Sequence, residues 1–179
     1  MRRAHRFPRT FLRDRSGVAA IEFALILPLL VLILFGTMTL FHFYRTGLTL
    51  DRATATVSDF MSRQSELSTT FMTERVASSL DRLVPHDPGQ LGFRITSLTR
   101  TGATYRTEWT YPSTPGPGFE GRALPMDVLP VVADGDSLLL TETFVLQRAL
   151  VDVMGVGAIG HRATLAVRPR FAKSITGPV

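Results

Sequence analysis

An α+β fold is predicted from three features of the chain. It begins with an uncharged apolar run of membrane length, keeps three- and four-residue hydrophobic spacing as far as residue 84, and alternates with a period of two from residue 91 onward. From Phe23 to Phe41 no side chain carries a formal charge, and at about 1.5 Å per residue this run spans roughly 28 Å, the hydrocarbon thickness of a bilayer. It is long enough to cross once. Pro28 and Gly36 mark places in the span for a kink or for close helix packing. Past Tyr44, the steps Leu50, Ala53, Val57 and Phe60 predict that the helix continues outward with one apolar face, against the weaker helix formers Thr54 and Thr56. A second helix is predicted from about Thr70 to Val84 on the stripe Met72, Val76, Leu80 and Leu83, stopped by Pro85-His86-Asp87-Pro88-Gly89. Both stripes read as core.

After Gly89, Leu91, Phe93 and Ile95 alternate with Gly92, Arg94 and Thr96, and Tyr105, Trp109 and Tyr111 are expected on one face after a turn at Thr101-Gly102. That pattern is a hairpin. Pro112 to Gly121 reads as an irregular loop, Ser137 to Leu146 as a buried strand after the Asp134-Gly135-Asp136 turn, and Arg162 to Val167 as a last strand with Ala163, Leu165 and Val167 facing one way. The expected organisation is a basic leader at 1–17, a membrane helix at 18–43, a helical region at 44–84 and an antiparallel sheet region at 89–179.

The formal charge of +5 does not imply nucleic acid. Six arginines and one aspartate in the leader account for all of it, leaving 14 basic and 14 acidic residues in the remainder. Arg2, Arg3, Arg6, Arg9, Arg13 and Arg15 stand against Asp14 alone, whereas Tyr44 to Arg63 holds Arg45, Arg52 and Arg63 against Asp51 and Asp59. The basic flank is expected to stay cytoplasmic, placing the rest in the periplasm of a bacterium with a single pass through the inner membrane. Without cysteine the fold has neither disulfides nor thiolate metal sites.

No catalytic, metal or cofactor constellation is expected. Asp134 and Asp136 supply too few oxygens for calcium, and His5, His42, His86 and His161 are scattered. Gly155-Val156-Gly157-Ala158-Ile159-Gly160 spells a dinucleotide-binding motif, but a polar alternating segment follows it where a helix is required. A flexible loop between two strands accounts for those glycines. Nothing like G-x-S-x-G marks a nucleophile.

Three readings compete for the N-terminus. A cleaved secretory signal has a shorter apolar region, and the nearest A-x-A, Ala53-Thr54-Ala55, comes about a dozen residues after Phe41. A plain uncleaved anchor leaves the order of Ser16, Gly17 and Glu22 without a reason. The text R-S-G-V-A-A-I-E-F resembles the processing site of type IV prepilin-like proteins, cut after glycine on the cytoplasmic face. Cleavage between Gly17 and Val18 would make Glu22 the fifth residue and Phe23 the sixth, the Glu-plus-aromatic order of the Flp and tight-adherence branch. In a helix beginning at Val18, a carboxylate four residues from the free amine is favoured by about 0.3–1 kcal/mol.

With weaker support from Glu142 to Leu146, Ala149 to Gly160 and the ending Arg168-Pro169-Arg170-Phe171, the chain resembles the TadE-like minor pseudopilins of the tight-adherence (Tad/Flp) type IV pilus system. Its size favours TadE or its TadF sibling over Flp pilins and TadG. The resemblance implies a non-enzymatic assembly component with no cofactor, in which Glu22 meets the N-terminal amine of a neighbouring subunit. It implies as partners a prepilin peptidase, TadF- or TadG-like siblings, the Flp major pilin, the inner-membrane Tad platform and membrane lipid. An exposed sheet edge offers unpaired backbone groups for docking. An uncleaved single-pass envelope protein with a periplasmic binding or sensor module is the alternative, and a periplasmic hydrolase a third class.

Overall fold

The computed structural model describes residues 16–152 and 155–178. Helix α1, Ser16–Ser62, is one uninterrupted rod of 47 residues, about 70 Å long. Pro28 lies inside it, where the missing N–H removes one helical bond without ending the helix. From Gly17 to Phe35 α1 is exposed on every side. Along its second half Thr39, Phe43, Thr46, Leu50, Ala53, Val57 and Met61 are buried at three- and four-residue steps. Phe60, expected in that stripe, is exposed; one residue on, Met61 takes the core position. The threonines that weakened the pattern are accommodated by bonding to their own helix. The Thr54 hydroxyl donates to the Leu50 carbonyl, so the contact with Thr143 Oγ1 is donated by Thr143.

The second helix runs in three consecutive pieces: an α-helical turn at Thr69–Phe71, a π-helix at Met72–Ala77 and an α-helix at Ser78–Leu83. Ser68 caps it, its hydroxyl accepting from the Phe71 amide at 3.1 Å. The π segment puts more residues into each turn, so the buried face advances by fours through Met72, Val76, Leu80 and Val84. Leu83, the expected last member of the stripe, is left exposed.

Four antiparallel strands follow in the order β2-β1-β3-β4: β1 Leu91–Thr101, β2 Thr104–Tyr111, β3 Ser137–Arg148 and β4 Ala158–Val167. Gly102, at φ +63°, makes the tight turn of the β1–β2 hairpin. The register slips between Ser97 and Leu98: Ser97 pairs with Trp109 but Leu98 pairs with Thr107. The extra residue reverses the alternation in β2, so Tyr105, Trp109 and Tyr111 do not share a face as the spacing predicts. Trp109 and Tyr111 pack against the helix-side core, and Tyr105 against the opposite one. Strand β4 also begins earlier than predicted. Ala158 to Gly160 are strand and not loop, and Gly160 is small because the Phe144 ring covers it, a Cβ there falling 2.8 Å from Phe144 Cε2.

The two sheet faces have different covers. On one, Ile95, Leu139, Val145 and Ala163 meet α1, the second helix and Ile175 of the C-terminal segment. On the other, Leu98, Leu138 and Leu140 lie under Val132, Leu124 and Leu129 of the long β2–β3 connection. Strand β4 runs beside α1 in the same direction, from His161 against Phe43 and Gly47 to the Arg170 amide bonded to the Ser62 carbonyl at 2.8 Å. Nineteen helical steps and nine extended ones each cover about 30 Å, which is why the two elements stay in register.

Replacing Leu80 by Ala is expected to cost about 2–5 kcal/mol, while Leu83→Ala and Phe60→Ala stay within about 0.5 kcal/mol. Denaturant unfolding of the detergent-solubilised chain, followed by the fluorescence of its single tryptophan, Trp109, measures all three.

Candidate functional site

The site that the sequence singles out is the beginning of α1. Gly17, Val18, Glu22 and Phe23 are all helical and exposed. Among the described residues a Cβ on Gly17 would meet nothing within 4 Å. Val18 and Glu22 stand four residues apart, one above the other on the same helix face, while Phe23 points about a quarter-turn away. Glu22 is the one Asp, Glu, Lys or Arg residue between Gly17 and Tyr44. Among the described residues it has no ionic partner, and its neighbours along the helix are exposed apolar side chains such as Ile21, Leu25 and Ile26. The topology arginines Arg2, Arg3, Arg6, Arg9, Arg13 and Arg15 lie outside the described residues. By length and composition α1 can cross a membrane, and none of its most apolar window is buried within the protein.

A helix that is apolar on every side is not a surface helix of a water-soluble domain. Its first half needs lipid or other helices around it, and a carboxylate there needs a cation or the interface. The site holds no nucleophile–base pair, and among the described residues no group of three or more His, Cys, Asp or Glu side chains could hold a metal.

Sequence reasoning missed a second polar constellation, on the sheet face away from α1. Glu142, on the inner strand β3, is fully buried, and the Arg94 guanidinium of β1 donates to its Oε2 at 2.7 Å. The same guanidinium reaches the Arg122 and Ala123 carbonyls at 2.8 and 3.2 Å, and Arg162 Nη2 of β4 reaches the Gly118 carbonyl at 2.6 Å. Phe119, itself buried, lies between the two arginines, at 5.2 and 4.8 Å from its ring centre. Burial first, and then the Arg122 guanidinium, push the Arg162 pKa below its ordinary value; Glu142 raises it and Arg94 lowers it further. These groups fasten the irregular segment to the sheet. The only trace in sequence is that Arg94, Glu142 and Arg162 fall at positions whose neighbours in the strand face the other core.

The C-terminal R-P-R ending is also structural. Arg168 pairs with Asp136 beside the β2–β3 connection, and Arg170 pairs with Asp59 of α1 at 2.7 Å. Asp134 Oδ1 accepts from the Gly102 amide at 2.8 Å, so this acid of the Asp134-Gly135-Asp136 turn serves the end of the β1–β2 hairpin. The two sheet edges are unlike: β4 lies along α1, and β2 is the edge farthest from it.

A family model described as TadE-like protein matches residues 17–59, which is α1 from its second residue almost to its end. The match begins at the glycine and contains the glutamate and the aromatic residue of the candidate site. The C-terminal segments that also carry the resemblance lie outside it. No curated protein and no solved structure gives a significant match.

Two outcomes follow from the buried polar groups. Glu142→Leu strands the Arg94 charge and is expected to cost about 3–5 kcal/mol in denaturant unfolding, while far-ultraviolet circular dichroism of the folded state is retained. His161 packs between Phe43 and Gly47, and burial lowers its pKa. The unfolded chain therefore takes up a proton near pH 6.5 while the folded chain stays neutral, so its contribution is intact above that pH and declines as pH falls below it. The thermal midpoint is expected to fall between pH 7.5 and 5.5, and less steeply in His161→Gln.

Proposed function

We propose that this chain, TadE-like over residues 17–59, is a minor pseudopilin that serves the biogenesis of a Tad-type adhesive pilus and performs no chemistry of its own. The observation that carries the reading is a family match that coincides with an exposed apolar helix containing, near its start, one acid with no ionic partner among the described residues. In this reading the chain is inserted in the bacterial inner membrane with Arg2 to Arg15 inside and the sheet in the periplasm.

A prepilin peptidase then cuts between Gly17 and Val18. A peptidase needs extended backbone, and glycine in a helix is less stable than alanine by about 1 kcal/mol, which favours local opening at that point. The cut leaves a positive amine on Val18, at the positive end of the helix dipole and on the same face as Glu22. The Glu22 carboxylate would then meet the amine of a neighbouring subunit and fix the axial register between helices, with Phe23 packing beside the pair. The neighbours are sibling TadF- or TadG-like pseudopilins, the Flp pilin and the inner-membrane platform, all within membrane lipid. The β2 edge, away from α1, is the strand available for pairing with a periplasmic partner.

Intact mass analysis of the protein from cells with and without the peptidase tests the reading. A product starting at Val18 only when the peptidase is present, abolished by Gly17→Leu, is expected. Glu22→Gln is expected to be processed yet to lose piliation. An intact leader in both strains would favour an uncleaved anchor and end the proposal.

A further inference from the structure

The turn between β3 and β4 reaches down the side of α1 into the uncharged run. It is closed by the Ala149 amide donating to the Gly157 carbonyl at 3.0 Å, and the Thr39 hydroxyl lies 3.5 Å from the Val151 carbonyl. Gln147 beside His42 and His161 beside Phe43 hold the two strands at the same height. Thr39 precedes Phe41, the end of the uncharged run, by about 3 Å along the helix axis, and precedes Arg45, the first charged residue after it, by about 9 Å. Any bilayer that α1 crosses therefore meets this turn as well. An interfacial layer is roughly 5–8 Å thick on each side of the hydrocarbon, so a turn that meets α1 about 3 Å before the run ends sits where that layer borders the hydrocarbon.

Its chemistry suits that place. Leu150, Val151 and Val156 are 49, 42 and 41% exposed, and among the described residues none of the three belongs to either core. One residue before the turn's first bond, Arg148 is well exposed and meets only the exposed Asp87 at 3.7 Å, a solvated pair that a headgroup phosphate can replace. The one acid of the turn, Asp152, lies back beside Gly157.

We infer that Leu150, Val151 and Val156 of the β3–β4 turn rest at the outer interface of the phospholipid bilayer, as a second membrane contact besides α1. Two contacts at one depth prevent the sheet from swinging about the helix. The inference depends on α1 crossing the membrane and is independent of any cleavage at Gly17.

The absence of cysteine makes a direct test simple. The full chain carrying Leu150→Cys, Val151→Cys, Ala103→Cys or Leu30→Cys is labelled with an environment-sensitive nitrobenzoxadiazole fluorophore. Each is reconstituted in phosphatidylethanolamine–phosphatidylglycerol vesicles with or without lipids bearing a nitroxide high on the acyl chain. Position 103 is the opposite end of the sheet, and position 30 lies within the span. Blue-shifted emission and loss of intensity with nitroxide lipid are expected at 150 and 151, and neither at 103. Quenching at 30 but equal, unquenched emission at 150, 151 and 103 overturns the inference alone. A blue shift at 150 and 151 that nitroxide lipid leaves unchanged means that protein, such as a second copy, covers the turn, and also overturns it. Unquenched emission at 30 removes the membrane span and the inference together.

Discussion

One helix must satisfy lipid along its first half and a protein core along its second, with no joint between them. The rod from Ser16 to Ser62 is apolar on all sides as far as the middle of its length, then narrows to a stripe that includes Phe43, Leu50, Val57 and Met61. Each half is insoluble or unstable without its own surroundings. Because α1 passes from one environment to the other as continuous helix, the height and rotation of the sheet are set by the span itself. The parallel course of β4 beside α1, from His161 to Arg170, transmits that setting to all four strands.

The remaining stability comes from how the two sheet faces are closed. On the helix side the interaction is apolar packing, with the Trp109 indole donating to the Ile175 carbonyl at 2.9 Å to hold the C-terminal segment in place. The far side has fewer apolar residues and a long irregular segment to retain. There a buried carboxylate does what packing does elsewhere. Glu142 loses its hydration, and the Arg94 guanidinium compensates it while bonding two backbone carbonyls of the segment it restrains. The arrangement is costly to break from one side only, which ties the loop geometry to the sheet.

The order of elements and the two changes of period were legible in the sequence, because burial on one face imposes its spacing directly. The departures have local causes that periodicity does not contain. A π-helical segment shifted the buried face from Leu83 to Val84, and an extra residue in β2 sent Tyr105 to the face opposite Trp109. Gly160 read as loop because its small size answers a ring on the adjacent strand, a contact between residues far apart in sequence. The Arg94–Glu142–Arg162 cluster was invisible for the same reason: three charged residues in three strands meet only after pairing. Gly17, Val18, Glu22 and Phe23 were legible as a short ordered text, and the family match begins at the first of them.

A jointless helix gives the Tad-type reading its mechanical sense, since a register fixed near Glu22 would be carried without slack to the periplasmic sheet. Amide hydrogen exchange of the full chain in lipid nanodiscs tests that continuity most directly. Unbroken protection from the span through His42 to Leu48 and on to Met61 is the expected result. Rapid exchange confined to His42–Leu48, with protection on both sides, would mean that span and sheet move independently and would contradict the account.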